Sequence, residues 1–519
     1  MLILILLILL ISALFLFLTT LKRNNYWKNR GIPGPEPLPF KGNIDLIFGK
    51  NPLALQLQRW SKIYGNIYGI KNGWINQLII SEPVMVKELL VDKFDKFYGR
   101  AMSPLVGDVE TKKLVHLFAA KGKRWKRLRA IANPAFSISN LKRVMPIMND
   151  SIKINIQLLK EAQINEKYID LNKYITELTF DIISRIAMGQ KESKQFKSEF
   201  CQISQDAFIR FNNNIFDYIS FIFPWLGRNI IGPFVTATGK LRNDPIEILI
   251  KNIEEAVKQR KEEKIKLKNE ENNQWTDFID LFLESENNNI ELKADNGIYK
   301  KTEKFERCNI IEEIVLNCFL FLLAGFDTTA NTLSLISHNL VMYPNVQKKL
   351  YEEIEEICGL EEGEIPTYEQ LNKLKYLDAI FNETQRLCPI AAAVVNRVCE
   401  ETTTLGNITI EKGTAISVDL FTLHRNKNIW GEDSEQFKPE RWLNEEGNKI
   451  KNLAFYPFGG GPRICIGMRL GIMEAKMILV QLLRTFELKR CSETKIELDL
   501  SGQVVLNPGR ITVELILRK

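Results

Sequence analysis

A lone cysteine lies in a loop of small residues towards the carboxyl end of the chain. The run from Phe458 to Gly467 is Phe-Gly-Gly-Gly-Pro-Arg-Ile-Cys-Ile-Gly, with Arg463 two positions before Cys465. Glycine has no Cβ, so the backbone of such a loop can lie close to a flat ligand. Backbone N–H groups and a helix N-terminus can hold the sulfur as a thiolate. These residue types at this spacing predict a thiolate ligand for a planar metal cofactor such as haem, although a buried cysteine in an ordinary loop gives the same short pattern.

An acid and two threonines follow a glycine at the end of an apolar run. Residues 324–329 are Ala-Gly-Phe-Asp-Thr-Thr. Glycine lowers helix propensity, and a threonine hydroxyl that bonds to the preceding turn bends a helix. A bend here would open a groove for O₂ and water, in which Asp327 and Thr328 could relay protons. Without the cysteine loop, the same residues would predict only a capped helix terminus.

A basic segment carries an indole and a guanidinium four residues apart. Trp125 and Arg129 would share one face of a helix, and both side chains are good hydrogen-bond donors to a carboxylate. Lys123, Lys126 and Arg127 would form the other face, which predicts a docking surface for an acidic partner. An ordinary basic surface helix is the alternative.

Together these motifs resemble those of the cytochrome P450 family. The cysteine run matches the family's haem-binding signature, Phe-x-x-Gly-x-Arg-x-Cys-x-Gly, at every fixed position. The second motif is similar to the family's oxygen-activation motif, with Asp327 and Thr328 in the acid and alcohol positions. Glu383 and Arg386, with Arg441 from a later Pro-Glu-Arg-Trp segment, resemble the family's structural triad. The resemblance extends from the apolar N-terminal segment to about residue 519.

The resemblance implies a fold and a cofactor. It predicts the cytochrome P450 fold, mostly α-helical with smaller β-sheets (α+β), and one N-terminal transmembrane helix. The cofactor would be haem b, with an axial thiolate from Cys465 that favours O–O bond cleavage. The residues predicted to hold it are Cys465, Arg463, Trp125, Arg129, Arg397 and Phe458. Arg100 is a further candidate for contact with a haem propionate.

The resemblance also implies a reaction. The protein would be a monooxygenase that inserts one atom of O₂ into an apolar organic substrate and reduces the other to water. The sequence has no Gly-x-Gly-x-x-Gly strand–turn–helix pattern, so we expect electrons to come from another protein. The resemblance implies that this donor is an NADPH-dependent cytochrome P450 reductase, with cytochrome b5 as a second candidate donor. The net charge of +7 is small for this length and does not predict nucleic-acid binding. Two alternatives remain: an O₂-independent isomerase or dehydratase of oxygenated lipids with the same fold, and a non-enzymatic haem sensor or carrier.

The N-terminal segment predicts a membrane anchor. Residues 1–21 are almost wholly apolar, and Lys22 and Arg23 follow directly. About 20 apolar residues span a bilayer as a helix, and a basic flank stays in the cytosol. We predict a transmembrane signal-anchor at 1–21, a basic flank with a proline-rich hinge at 22–39 and a haem-thiolate monooxygenase domain at 40–519. We therefore predict a single-pass protein of the endoplasmic reticulum, with the catalytic domain in the reducing cytosol. A cleaved signal peptide is the alternative.

Apolar periodicity predicts the elements that position these motifs. Helices are predicted over 53–64, 170–189 and 244–268, a buried central helix over 314–326, and strands over 67–70 and 77–80. The polar stretch 285–304 predicts a loop. Aromatic residues are dense over 208–234, which predicts either a core-facing stripe or a substrate entrance that touches the membrane.

Overall fold

The computed structural model shows a mostly helical protein with small β-sheets. It describes residues 2–49, 51–112, 114–212, 215–266, 277–285, 290–292, 303–305, 311–444 and 452–518. The helices named here are α1 (Leu2–Asn24), α2 (Ile44–Ile47), α3 (Leu53–Tyr64), α4 (Pro83–Lys87), α5 (Gly122–Ala132), α6 (Ile138–Asn165), α7 (Leu171–Met188), α8 (Glu199–Asn212), α9 (Ile215–Ile222), α10 (Pro224–Leu226), α11 (Gly232–Thr238), α12 (Pro245–Lys266), α13 (Phe278–Ser285), α14 (Ile311–Met342), α15 (Pro344–Cys358), α16 (Tyr368–Lys373), α17 (Lys375–Leu387), α18 (Leu420–Leu423), α19 (Lys427–Trp430) and α20 (Met468–Thr485).

The described strands form four small sheets. The strands are β1 (Ile67–Asn72), β2 (Ile75–Ile80), β3 (Ile169–Asp170), β4 (Ile290–Leu292), β5 (Glu303–Phe305), β6 (Asn396–Val398), β7 (Thr403–Leu405), β8 (Ile408–Ile410), β9 (Ala415–Val418), β10 (Phe486–Lys489) and β11 (Thr512–Leu517). The strand orders are β1-β2-β9-β6, β10-β11-β3, β4-β5 and β7-β8. The α+β fold predicted from the sequence is confirmed.

Helix α14 lies in the middle of the largest hydrophobic core. It packs along α7 and also against α12, α17 and α20. Gly325 permits the close approach to α7, because a Cβ at this position would lie 2.7 Å from Cδ1 of Ile183. Thus α14, which carries the acid and threonines of the second motif, lies against α20, which begins directly after the cysteine loop.

The four-stranded sheet fixes one of the candidate arginines. Strand β2 pairs in parallel with β9, and β9 pairs antiparallel with β6, in which Arg397 lies opposite Ile416. The core of this sheet is apolar, and Leu78 and Ile416 are both fully buried. Arg397 is therefore held on a short strand with a fixed register instead of a free loop.

Most predicted elements are confirmed. Helices α3, α7 and α12 and strands β1 and β2 lie where periodicity predicts them, and the apolar run at 314–326 is part of the buried helix α14. The loop predicted over 285–304 is wrong in part, because β4 and β5 form an antiparallel hairpin there. The asparagines at 287–289 lie outside the described residues. The capped helix terminus considered for 324–329 is also wrong, since α14 continues unbroken to Met342.

Among the described residues, one helix is long and apolar enough to cross a membrane. It is α14, and 67% of its most apolar stretch is buried inside the protein, as expected for a core helix. Helix α1 differs, because large apolar side chains such as Leu10, Ile11 and Leu14 are more than half exposed. The anchor predicted at 1–21 stays a prediction.

Candidate functional site

The cysteine loop is shaped by its glycines and ends at a helix. A 3₁₀ turn spans Gly461–Arg463, and Gly467 is the N-cap of α20. Gly461 has a φ of +65°, and a Cβ there would lie 1.8 Å from the carbonyl oxygen of Leu90, so no other residue fits. The N–H of Cys465 donates to the carbonyl of Phe458 at 3.0 Å and closes the loop. The loop thus holds the sulfur at the start of α20, where the helix dipole favours a negative charge.

Opposing effects act on the thiol of Cys465. Burial dominates and raises its pKa, while the backbone N–H groups of Gly467 and Met468 and the charges of Arg129 and Arg100 oppose this rise. The side chain is nevertheless accessible to solvent. Both observations hold if the sulfur faces an interior cleft instead of the outer surface. The donors around it are those that favour a thiolate over a thiol.

Four arginines gather beside this loop. Arg129 Nη1 donates to the carbonyl of Ile464 at 2.9 Å, and Arg397 Nη2 donates to that of Gly460 at 3.4 Å. Arg463 donates to the carbonyls of Phe118 and Ala120, and Arg100 Nη1 donates to that of Val394 at 2.7 Å. We call Arg100, Arg129, Arg397 and Arg463 the arginine cluster. It joins the cysteine loop to three other segments of the chain.

The arginine cluster is electrostatically unfavourable by itself. Burial, with the charges of its three neighbours, lowers the pKa of Arg463 to about 8. Burial and Arg100 lower the pKa of Arg397 to about 9, and burial with Arg129 lowers that of Arg100 to about 10, against the opposing effect of Cys465. A guanidinium does not lose its proton in proteins, so such a cluster needs anions beside it.

The cluster fits a ligand that carries carboxylates. Among the described residues, the buried Nε atoms of Arg100, Arg397 and Arg463 have no hydrogen-bond partner. Their remaining bonds in the cluster go to neutral backbone carbonyls. Unpaired, charged donors beside a thiol in an interior cleft match a haem, whose two propionates would accept from them and whose iron would take the sulfur.

Two aromatic residues of the sequence prediction lie at the same place. Trp125 is buried, and its ring lies 4.8 Å from the guanidinium carbon of Arg463. The ring of Phe458 stacks on that of Phe381, with centroids 6.2 Å apart and an interplanar angle of 4°. The structure therefore brings Trp125, Phe458 and the arginines around Cys465.

The docking surface predicted on α5 is wrong for one of its three members. Arg127 Nη2 donates to both carboxylate oxygens of Glu313 on α14, at 2.7 and 2.9 Å. Burial raises the pKa of Glu313, and the charge of Arg127 opposes this. The pair is largely buried, so Arg127 ties α5 to α14 instead of facing a partner. Lys123 is exposed, and Lys126 is half-buried.

The acid and alcohol of the second motif lie within α14. Burial raises the pKa of Asp327 to about 6, against the hydrogen bond of the Asn331 side chain. Thr328 Oγ1 donates to the carbonyl of Ala324 at 2.8 Å, and Ala324 is exposed although it belongs to a core helix. Thr329 makes the same bond to Gly325 at 2.9 Å but is buried. Thr328 and Ala324 thus face an open interior space. Thr329 instead lies towards α20, where a Cβ on Gly471 would be 3.8 Å from its Oγ1.

The predicted triad is confirmed in its geometry. Arg386 donates from Nε and Nη2 to the two oxygens of Glu383, each at 2.8 Å, and Arg441 Nε donates at 2.9 Å. The indole of Trp442 and the N–H of Lys438 also donate to Glu383, each at 2.9 Å. Motif reasoning missed these last two donors, although Trp442 is next to Arg441 in the sequence. The side chains of Glu383 and Arg386 are fully buried.

We expect Glu383→Gln to prevent stable folding. The change leaves the fully buried guanidinium of Arg386 without its anion, a loss that typically costs about 3–5 kcal/mol. The free energy of unfolding, measured by denaturant titration, tests this. Glu440→Gln is the matched control, because Glu440 pairs with Lys349 at the surface, where such pairs contribute about 0–1 kcal/mol. Equal losses for the two variants would contradict a structural role for the triad.

The comparisons with known proteins agree with this site. A family model described as "Cytochrome P450" matches residues 32–515. The Caenorhabditis elegans protein named "Putative cytochrome P450 CYP13A7" is 39% identical over 498 residues, which cover 95% of each chain. "Putative cytochrome P450 CYP13A1" of the same organism is 40% identical over 497 residues, 94% of each chain.

The fold and the site define a haem-thiolate protein. The chain belongs to the cytochrome P450 family, whose members bind haem through a cysteine thiolate. At the general level of the family it is a haem-thiolate monooxygenase that works with a redox partner.

Proposed function

We propose that this protein is a membrane-anchored monooxygenase that inserts one atom of O₂ into an apolar substrate. One observation carries the proposal: Asp327 and Thr328 lie on a helix that packs against the helix of the cysteine loop. An isomerase or a haem carrier would have no use for a buried acid with a pKa of about 6 beside a hydroxyl in an open interior space. Bound haem supplies the activation of O₂.

We assign a role to each residue around the cofactor. Cys465 would supply the thiolate ligand, and the N–H groups of Gly467 and Met468 favour its ionised form against the burial that raises its pKa. The arginine cluster and Trp125 hold the propionates, while Phe458 supports the loop through its stack on Phe381. Each role is supported by a donor or a ring near the cysteine loop.

Asp327 and Thr328 supply protons from the protein. With a pKa of about 6, the carboxyl of Asp327 can both hold and release a proton near neutral pH. The hydroxyl of Thr328 donates to the carbonyl of Ala324 at 2.8 Å, which leaves its oxygen lone pairs available to water in the cleft. The two groups can then pass a proton from solvent towards the reacting oxygen.

The substrate we propose is apolar. Ala324 is exposed to the interior space, and Ala391 and Ala393 are half-buried in a segment next to the arginine cluster. Arg100 Nη1 donates to the carbonyl of Val394 in that segment. A wall of alanines offers no polar side chain to a substrate, so recognition would rest on shape and apolar contact.

The electron donor we propose is an NADPH-dependent cytochrome P450 reductase, with cytochrome b5 as a second donor. Arg127 does not contribute to docking, because it is paired with Glu313. NADPH-dependent O₂ consumption, measured with added reductase and a library of apolar compounds, tests the reaction. Conversion of an oxygenated lipid without NADPH would instead indicate the isomerase, and haem binding without either activity the carrier.

The membrane attachment we propose has two contacts. Helix α1 exposes apolar side chains along its length. A second apolar surface includes Trp225, Ile230 and Phe234, which are 69%, 51% and 53% exposed. These residues fall in the aromatic stretch 208–234 and do not pack as a core stripe. Exposed aromatic and aliphatic residues of this kind favour a membrane interface.

We expect the catalytic domain to face the cytosol. Protease added to intact microsomes should digest the domain, because the basic flank after α1 keeps it outside the lumen. Asn407 starts an Asn-Ile-Thr sequon and is exposed, so it would carry a glycan in the lumen. We expect Asn407 to be unmodified. Protection of the domain from protease, or a glycan on Asn407, would overturn this topology.

A further inference from the structure

A glutamate that no family motif includes lies beside the arginine cluster. Glu400 follows β6 three residues after Arg397, and a Cβ on Gly99 would lie 1.9 Å from its Oε1. Gly99 directly precedes Arg100 in the sequence. The side chain of Glu400 is only 11% exposed. Its carboxylate thus lies against the backbone next to Arg100. Glu400 itself lies just beyond the end of β6, the strand that carries Arg397.

Lys121 holds this carboxylate. Its Nζ lies 3.1 Å from Oε2 and 3.3 Å from Oε1 of Glu400, and 3.2 Å from Oε1 of Glu110. Burial lowers the pKa of Lys121, but its hydrogen bonds and charge interactions with Glu400 and Glu110 outweigh this and raise it. Lys121 also follows Ala120, whose carbonyl accepts from Arg463. Both members of the pair are therefore next to the cluster. Glu400 lies beside the segment of Arg100, and Lys121 follows the residue whose carbonyl accepts from Arg463.

The charge of Glu400 acts on the cluster. Burial and three neighbouring arginines lower the pKa of Arg463, and the charge of Glu400 opposes this shift. Charges held in a largely buried site are screened by water much less than charges at a surface. A fixed negative charge at this position would therefore also oppose the addition of an electron to a cofactor that the same arginines hold.

We propose that the Glu400–Lys121 pair sets the reduction potential of the haem by balancing the charge of the arginine cluster. The inference rests on the proposed function, since it requires propionates at this cluster. Glu400 is a positioning residue and not a catalytic one, because it acts through the arginines. Its negative charge opposes the gain of an electron, and Lys121 offsets that effect by pairing with it.

The experiment is a spectroelectrochemical titration of the full-length holoprotein. Glu400→Gln should favour reduction, raising the ratio of reduced to oxidised haem at a fixed potential by up to about tenfold, which is ~59 mV for a one-electron couple. Lys121→Gln should shift the potential the other way, because it leaves the carboxylate without its lysine. The double variant should lie between the two.

Glu401→Gln is the matched control. It makes the same change one residue along, where Glu401 pairs with Lys96 at 2.6 Å and is 69% exposed. We expect its potential to equal that of the unmodified protein. A potential for Glu400→Gln equal to that of Glu401→Gln, with normal haem content, would overturn the inference. If Glu400→Gln failed to bind haem, an unchanged potential for Lys121→Gln would overturn it instead.

The same set of proteins tests the proposed function separately. Haem content and the thiolate-type spectrum of the reduced carbonyl complex report whether the cofactor is bound through Cys465. Arg463→Gln reports whether the cluster holds it, through a loss of haem affinity. Normal haem binding in Arg463→Gln would contradict the propionate site. If Arg463→Gln binds haem more weakly but Glu400→Gln leaves the potential unchanged, only the role of the pair is contradicted.

Discussion

Cys465→Ala is expected to abolish the thiolate-type spectrum of the reduced carbonyl complex completely. The sulfur is the only side-chain ligand that the loop offers, and the loop is closed around it by the bond from the Cys465 N–H to the Phe458 carbonyl. Alanine keeps this backbone bond and the glycine turn but provides no electron pair to a metal. Absorption spectroscopy of the reduced protein under carbon monoxide measures the result, and monooxygenase activity should fall with it.

Cys491→Ala is the control for this prediction. Cys491 is a half-buried cysteine whose sulfur contacts Thr494, in the segment directly after β10. Its replacement should leave the spectrum unchanged. A surviving thiolate spectrum in Cys465→Ala would mean that another cysteine is the ligand, and the site assignment would fail.

Asp327→Asn is expected to slow turnover by about 10²–10⁴-fold, the usual contribution of a positioned acid or base. The asparagine keeps the size and burial of the side chain but cannot release a proton. Because the pKa of Asp327 is about 6, its protonated fraction falls as pH rises through 6. Turnover limited by this acid should fall over the same range, and Asp327→Asn should lose that dependence. The rate of turnover as a function of pH measures both.

Thr328→Ala should separate NADPH oxidation from product formation. Without the hydroxyl, proton delivery is impaired while haem binding and reduction continue, so hydrogen peroxide should rise and product should fall. Thr329→Ala is the matched control, because Thr329 makes the same bond to the preceding turn but is buried away from the cleft. If both variants lost stability and kept the ratio of product to NADPH consumed, the threonines would be structural only.

The site was predictable where local spacing determines the geometry. The glycine–arginine–cysteine run requires one loop shape, since Gly461 has a positive φ and a Cβ there would collide with the Leu90 carbonyl. Trp125 and Arg129 face the loop because residues four apart share a helix face. The pair Glu383 and Arg386 follows from the same periodicity.

Prediction failed where a distant partner decides the outcome. Arg127 has the same local pattern as Lys123, yet Glu313 on α14 captures it from 186 positions away. Periodicity cannot reveal such a pair, because nothing near Arg127 in the sequence specifies α14. The β4–β5 hairpin was missed for a related reason: its strands are short, and pairing between them outweighs their polar composition.

Arg100 shows a third kind of limit. The sequence around it has no motif, and its place in the arginine cluster comes from the bridge between Gly99 and Val398, which joins it to β6. Its neighbour Glu400 is placed by the same contact. From the sequence Arg100 is only a further candidate, and Glu400 becomes informative only when the sheet brings together segments about 300 positions apart.

The spacing of the arginine cluster along the chain has a consequence for biosynthesis. Its members lie at positions 100, 129, 397 and 463, and the sulfur follows at 465. During translation, N-terminal segments emerge first and begin to fold before the rest of the chain is made. The early arginines therefore meet neither their later neighbours nor the ligand sulfur until α20 has been synthesised. Haem capture must therefore be a late step of maturation. Until then the nascent protein carries Arg100 and Arg129 without the propionates that would balance their charge.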